Sequence, residues 1–204
     1  MENKIKIFLM TGCMSLLTAC AGLPERVPSE AAADAGLILI HQDNSVRLYA
    51  RPDFDPLRFS GFALDRVEVQ TAASLDTEQK AEQELLGTDL TTQISTLITT
   101  RDSALRLNMD ISLHDIHPVT PALNMATLVL ALVPLDTGSM IVETTYRDNA
   151  GRIQARRIER LTGSIFNFRA IFSAYGQHKF VLSEWAQRCP MSATCLSKPA
   201  VLKD

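Results

Sequence analysis

Leu105, Leu107, Met109, Ile111 and Leu113 alternate strictly with Arg106, Asn108, Asp110, Ser112 and His114. Successive side chains of a strand point to opposite sides, so this period of two predicts a β-strand with one buried face. That face must be covered, and the preceding segment offers a cover. Asp76 is an N-cap residue with Gln79 three positions on, the pattern of a capping box. Ala81, Leu85, Ile94 and Ile98 come after it at helical spacing, with Leu86, Leu90 and Leu97 beside them. The spacing predicts a helix over about 76–99, despite Gly87. Before it, Phe62 to Thr71 carries Leu64, Val67 and Val69 and reads as a strand. Strand–helix–strand in this order predicts a right-handed crossover between parallel strands.

Pro118 and Pro121 end the alternating strand. Met140 to Tyr146, the turn Asp148-Asn149-Ala150-Gly151 and Ile153 to Leu161 then read as a β-hairpin. Phe168, Ile171, Phe172, Tyr175, Lys179, Leu182 and Trp185 fall at helical intervals, so a second helix is expected over about 166–187, with a break near Gly176. Leu37 to Ile40 and Val46 to Tyr49 are short apolar runs, and Pro52 and Pro56 make the segment after them irregular. Each helix has one apolar face, and both can cover the same sheet. The expectation is a single α+β domain over residues 37–188. It has a mixed β-sheet with two long helices packed on it, in the order strand, helix, strand, hairpin, helix.

The N-terminus carries a different signal. Lys4 and Lys6 precede the apolar stretch Ile7 to Leu17, which is shorter than the ~20 residues that span a bilayer. Leu17-Thr18-Ala19-Cys20 closes it with small residues before a cysteine. This resembles a bacterial lipoprotein signal with its lipobox; the alternative is an ordinary secretory leader with a chance cysteine. The resemblance implies that residues 1–19 are removed and that Cys20 takes a diacylglyceryl thioether and an N-acyl chain such as palmitate. One chain holds a protein only marginally, but each buried methylene adds ~0.8 kcal/mol, so three chains make release negligible. Ala21 is not the Asp that marks inner-membrane retention in enteric bacteria, which implies the periplasmic face of the outer membrane. Residues 20–36, with Pro24 and Pro28, read as a lipidated tether. It would average roughly 20–25 Å as coil.

Net charge is −3, and leader removal takes away Lys4, Lys6 and Glu2. A slightly acidic chain argues against bulk nucleic-acid binding, which needs a basic footprint. Cys13 falls in the leader. Cys189 and Cys195 remain, in Cys189-Pro-Met-Ser-Ala-Thr-Cys195 within the tail 189–204. In an oxidising periplasm they read as a disulfide, the other readings being a zinc pair or redox thiols.

Two further stretches occur in one order with the lipobox and the strand–helix–strand start. They are His117-Pro118-Val119-Thr120-Pro121-Ala122-Leu123-Asn124 and Val142-Glu143-Thr144-Thr145-Tyr146-Arg147-Asp148-Asn149-Ala150-Gly151. Together they resemble the bacterial lipoproteins grouped as domain of unknown function 3313, over roughly residues 40–187. That family implies an envelope lipoprotein and brings no activity, cofactor or catalytic residue.

No residue pattern points to catalysis. His114 and His117 lie near Asp110 and Asp115, but residues three apart on a regular strand face opposite ways, so surface histidines are expected rather than metal ligands. Ser139 and Ser164 come after glycines without a nucleophile elbow. No Gly-rich phosphate loop is present, and no cofactor is expected. Arg152, Arg156 and Arg160 are expected to share one face of the second hairpin strand, with Gln154 and Ile158 between. They read either as a basic stripe for anionic headgroups or an acidic partner, or as a solvated edge. Met125 to Leu135 is almost wholly apolar, with Leu128, Leu130 and Leu132 inside it. It reads as core or, if exposed, as a contact surface for a partner or lipid. The leading expectation is a non-enzymatic, lipid-tethered module that binds an envelope protein partner. The alternatives are lipid handling, as in the auxiliary lipoproteins of ABC-type transport systems, and a hydrolase.

Overall fold

The computed structural model describes residues 36–98, 105–131, 136–164, 167, 170–188, 191 and 193–196. The leader, Cys20 and nearly all of the tether, and with them Leu132 and Cys189, lie outside the described residues. Six strands form one sheet: β1 (Ile38–Gln42), β2 (Val46–Ala50), β3 (Gly61–Val69), β4 (Arg106–His117), β5 (Ser139–Arg147) and β6 (Ile153–Thr162). Their spatial order is β1-β2-β6-β5-β4-β3. β3 and β4 are parallel and every other neighbour pair is antiparallel. The helices are α1 (Thr77–Leu97), α2 (Pro121–Ala131), α3 (Gly176–Arg188) and the short α4 (Ala193–Leu196). The α+β class, the mixed sheet and the strand–helix–parallel-strand unit are as the sequence predicts.

Alternation in β4 places Leu107, Met109, Ile111 and Leu113 in the core. Met140, Val142 and Tyr146 of β5 and Ala155 and Leu161 of β6 join them, under Leu86, Leu90 and Ile94 of α1 and Leu182, Trp185 and Ala186 of α3. The capping box forms: the Asp76 carboxylate accepts the Gln79 amide at 2.8 Å, and the Asp76 amide donates to Gln79 Oε1 at 3.3 Å. The buried stripe of α1 is Gln83, Leu86, Gly87, Leu90 and Ile94, so Leu85 and Leu97, expected inside, are exposed instead. Gly87 sits in that stripe because a Cβ there would meet Val69 Cγ2 at 2.7 Å. Its missing side chain sets how closely α1 approaches β3.

The second helix is shorter than its apolar spacing suggests. It starts at Gly176, and a 3-10 turn at Ala170–Phe172 precedes it. Two hairpins complete the sheet. In β5–β6, Asp148 accepts hydrogen bonds from the backbone and side chain of Arg152 and from Gln154. Partial burial pulls its pKa up, but these donors outweigh that and hold it below the ordinary value. In β1–β2, Asp43 Oδ1 accepts from the amides of Ser45 and Val46 at 2.7 and 2.8 Å. That hairpin docks on β6, so β6 is an interior strand and no edge reading applies to its arginines.

Under α3, Arg157 and Glu159 form an ion pair at 3.0 Å on the helix-covered face. Trp185 Nε1 donates to the same carboxylate oxygen at 3.0 Å, and Arg157 Nη1 donates to the Cys195 carbonyl at 2.8 Å. The C-terminal turn is thus fastened to the sheet through a pair that the sequence offers only as alternation-breaking charges.

Gly87→Ala tests the α1–β3 contact. Helix propensity favours Ala by about 1 kcal/mol, whereas overpacking against Val69 costs about 1–3 kcal/mol. The variant should lose stability, and Val69→Ala should restore part of it. A double-mutant cycle read by urea denaturation should give a favourable coupling of roughly 1 kcal/mol; additive effects would contradict the contact.

Candidate functional site

The topology separates two ends of the sheet. One end holds the start of β1, the β5–β6 turn and the C-terminal turn. The other holds the ends of β3 and β4, the start of β5 and the end of β6. α2 stands at this second end. β4 runs to His117, Pro118 and buried Val119 come next, and Pro121 occupies the first helical turn, where its missing N–H has no cost.

α2 carries no charged residue. Among its described side chains the buried one is Asn124, fully enclosed. Asn124 Nδ2 donates to the Asp136 carbonyl at 2.6 Å, and its Oδ1 accepts the Asp136 amide at 2.8 Å. The Asp136 carboxylate accepts the Thr120 amide at 2.7 Å and the Gly138 amide at 3.1 Å. The exposed positions are apolar: Leu123 is 45% exposed, Met125 54% and Val129 75%. Surface helices ordinarily bury the apolar stripe and expose the polar one; among the described side chains of α2, Asn124 is the one enclosed while Leu123, Met125 and Val129 are exposed. The apolar run 125–135, open between core and contact surface, is therefore exposed at Met125 and half-buried at Leu128. Leu130 lies in α2, but its side chain, like Leu132, is outside the described set.

His178 braces the connection after α2. Its ring lies 5.7 Å from that of Tyr175, and Nε2 is 3.3 Å from the Ser139 carbonyl oxygen. Gly138 has φ of +66°, and a Cβ there would meet His178 Cε1 at 2.8 Å. Burial pushes the His178 pKa down; the Ser139 and His117 carbonyls and the Asp136 charge pull it back only partly.

The uncovered face of the sheet carries paired charges beside a small apolar cluster of Leu37, Tyr49, Ile141 and Ile158. Glu143 holds Arg156 at 2.5 Å. Asp110 holds Arg147 at 3.0 Å and Arg66 at 3.5 Å. Arg152 pairs with Asp148 at 2.9 Å in the turn at the far end. Arg156 and Arg160 share the uncovered face with Ile158, itself fully buried. Arg152 stands before β6, beyond a register shift, so the three arginines form no single stripe and do not join α2 in one surface. His114 Nε2 is 3.9 Å from Glu143 and its Nδ1 3.6 Å from Asp115.

Asp115 adopts φ of +48°, and a bulge inserts one residue between His114 and His117. His117 pairs with Ser139 as His114 pairs with Ile141, so both histidines belong to one face, against the expectation from regular strand spacing. Even so, among the described residues no group of three or more His, Cys, Asp or Glu side chains is placed to hold a metal. No described helix is long and apolar enough to cross a membrane.

These features define an α+β domain with a mixed sheet covered on one face. No family model matches the chain, and no curated protein matches it. Among solved structures it is similar to a point variant of the PelC dodecamer from Paraburkholderia phytofirmans, at TM-score 0.35 and 10% identity over 69% of this chain and 92% of that one. It is similar to the PelC dodecamer itself at TM-score 0.34 and 11% identity, over 69% and 93%. Likeness at this distance carries no functional argument.

The neutral His178 has a pH signature. Its folded pKa lies below the ordinary 6.5, so its contribution is complete above 6.5 and is lost as pH falls from there through the folded value. Urea midpoints should decline on acidification below about 6.5, and less steeply in His178→Leu. An identical slope in the variant would contradict this.

Proposed function

We propose that this chain is a lipoprotein of the bacterial envelope, anchored through Cys20 at the periplasmic face of the outer membrane. In this reading it is a non-enzymatic accessory module that docks a protein partner through α2. One observation carries the docking: a helix without charge is held from beneath by buried polar groups and turns Leu123, Met125 and Val129 to solvent. Apolar side chains grouped in this way are seldom left in water without a partner.

The geometry supports a protein rather than the anchoring membrane. The tether would enter at β1, and α2 stands at the other end of the sheet, along which β4 alone runs 12 residues, about 40 Å. Lipid handling has less support: two clefts on the described surface are lined by charged groups, such as Arg66, Asp110, Glu143 and Arg147 in one and Asp53, Arg58 and Arg152 in another, and an apolar one between Phe62, Leu97, Ile98 and Met191 holds only about 190 Å³. The family resemblance to domain of unknown function 3313 agrees with the anchor and adds no activity. The tail disulfide is proposed to pair Cys195 with Cys189.

Two experiments test this reading. Cys20→Ala should leave a heavier, unprocessed precursor, while the wild-type N-terminus should carry acyl chains by mass spectrometry. A Cys20→Ala protein that still matures and resists high-salt extraction would exclude the anchor. A photo-crosslinker at Val129 should give a discrete protein adduct in cells, abolished by Met125→Glu. Placed at Leu57, 82% exposed at the opposite end, it should give none. Equal adducts from both positions, or lipid adducts from Val129, would overturn the docking.

A further inference from the structure

A cleft of about 500 Å³ opens where β3 and β4 end and the loop to α1 begins. Ligands in parallel strand–helix–strand units bind outside the carboxyl ends of the strands, where the crossover loop parts from the next strand. Position alone assigns nothing, but Gln83 of α1 lines this cleft and is only 2% exposed. Its Nε2 is 3.4 Å from Tyr175 Oη, and its Oε1 has no hydrogen-bond partner. Exchanging the amide nitrogen and oxygen would turn Oε1 to the tyrosine hydroxyl and leave the NH₂ without a partner instead. In either orientation half of a buried amide is unsatisfied, which native interiors rarely tolerate without a missing partner.

The opposite wall is shaped by the bulge in β4. Asp115, with its φ of +48°, stands between His114 and His117, and all three line the cleft. An unusual backbone conformation beside a cleft is a reason to look for function there. Leu75 and Pro118 add apolar surface.

We propose that this cleft binds a small hydroxyl-bearing ligand, a polyol of about pyranose size, with one hydroxyl hydrogen-bonded to the Gln83 amide. A hydroxyl both donates and accepts, so it completes the amide in either orientation. Neighbouring hydroxyls would donate to the Asp115 carboxylate, and the C–H face of the ring would lie on Leu75 and Pro118. This site is independent of α2 docking and of the lipid anchor.

Side-chain amide NMR of the purified full-length protein tests it, with methyl β-D-glucopyranoside and methyl β-D-galactopyranoside as probes and methoxycyclohexane as the hydroxyl-free control. At least one pyranoside should shift the Gln83 NH₂ resonances saturably, and the control should not. Gln83→Met should weaken binding about tenfold or more, with the near-UV signal of Trp185 unchanged. Asp115→Ala, on the exposed rim, should weaken it too and serves as the readout if Gln83→Met unfolds. No saturable shift with either sugar, equal response to the control, or undiminished binding in both variants would overturn the proposal and leave Gln83 completed by water only.

Discussion

β4 is where the two halves of the sheet meet. It pairs in parallel with β3 and antiparallel with β5, so both the crossover unit and the hairpin depend on its register. Its odd-numbered side chains, Leu107 to Leu113, are wholly apolar and draw α1 and α3 to one side. Its even-numbered side chains, Asp110, Ser112 and His114, could not accept a helix without burying charge, which is costly unless every group is paired. The other face is therefore left to water, as antiparallel sheets permit. Cross-strand partners on neighbouring strands then fix the charges there, Asp110 to Arg147 and Glu143 to Arg156. One alternation thus dictates a covered face, a charge-laced face and the position of both helices.

The local parts of this arrangement were legible because local chemistry determines them. The capping box of α1, the period of β4 and the Asp148 to Gly151 turn are each written within a few residues. The apolar stripe of α1 was misplaced by one neighbour, because Gly87 and Gln83 face inward for reasons that lie on Val69 and Tyr175, far away in sequence. Leu37 to Ile40 and Val46 to Tyr49 showed only as short apolar runs, and their docking on β6 as a hairpin was not legible, since pairing between distant strands leaves no local trace. Gly176 marked the start of α3 rather than a break within a longer helix. The apolar run after Pro121 fits strand and helix alike by composition. The Asp115 bulge, which brings His114 and His117 to one face and shapes the Gln83 cleft, is a register event between strands and has no sequence period.

The inverted polarity of α2 explains how an apolar helix can persist at a surface. Were it held by its apolar side chains, Leu123, Met125 and Val129 would turn inward and the helix would become core. It is held instead by hydrogen bonds: Asn124 grips both backbone groups of Asp136, and the Asp136 carboxylate takes the Thr120 and Gly138 amides. Each such bond contributes only about 1 kcal/mol net, but leaving a buried amide unmade costs more than the bond contributes. Rotation of α2 about its axis would break the Asn124 pair in a dry interior, so rotation is opposed even though it would bury apolar surface. The polar groups thus fix the orientation in which Leu123, Met125 and Val129 stay exposed. In the proposed docking a partner would meet a surface already fixed in shape, so little ordering cost would oppose it.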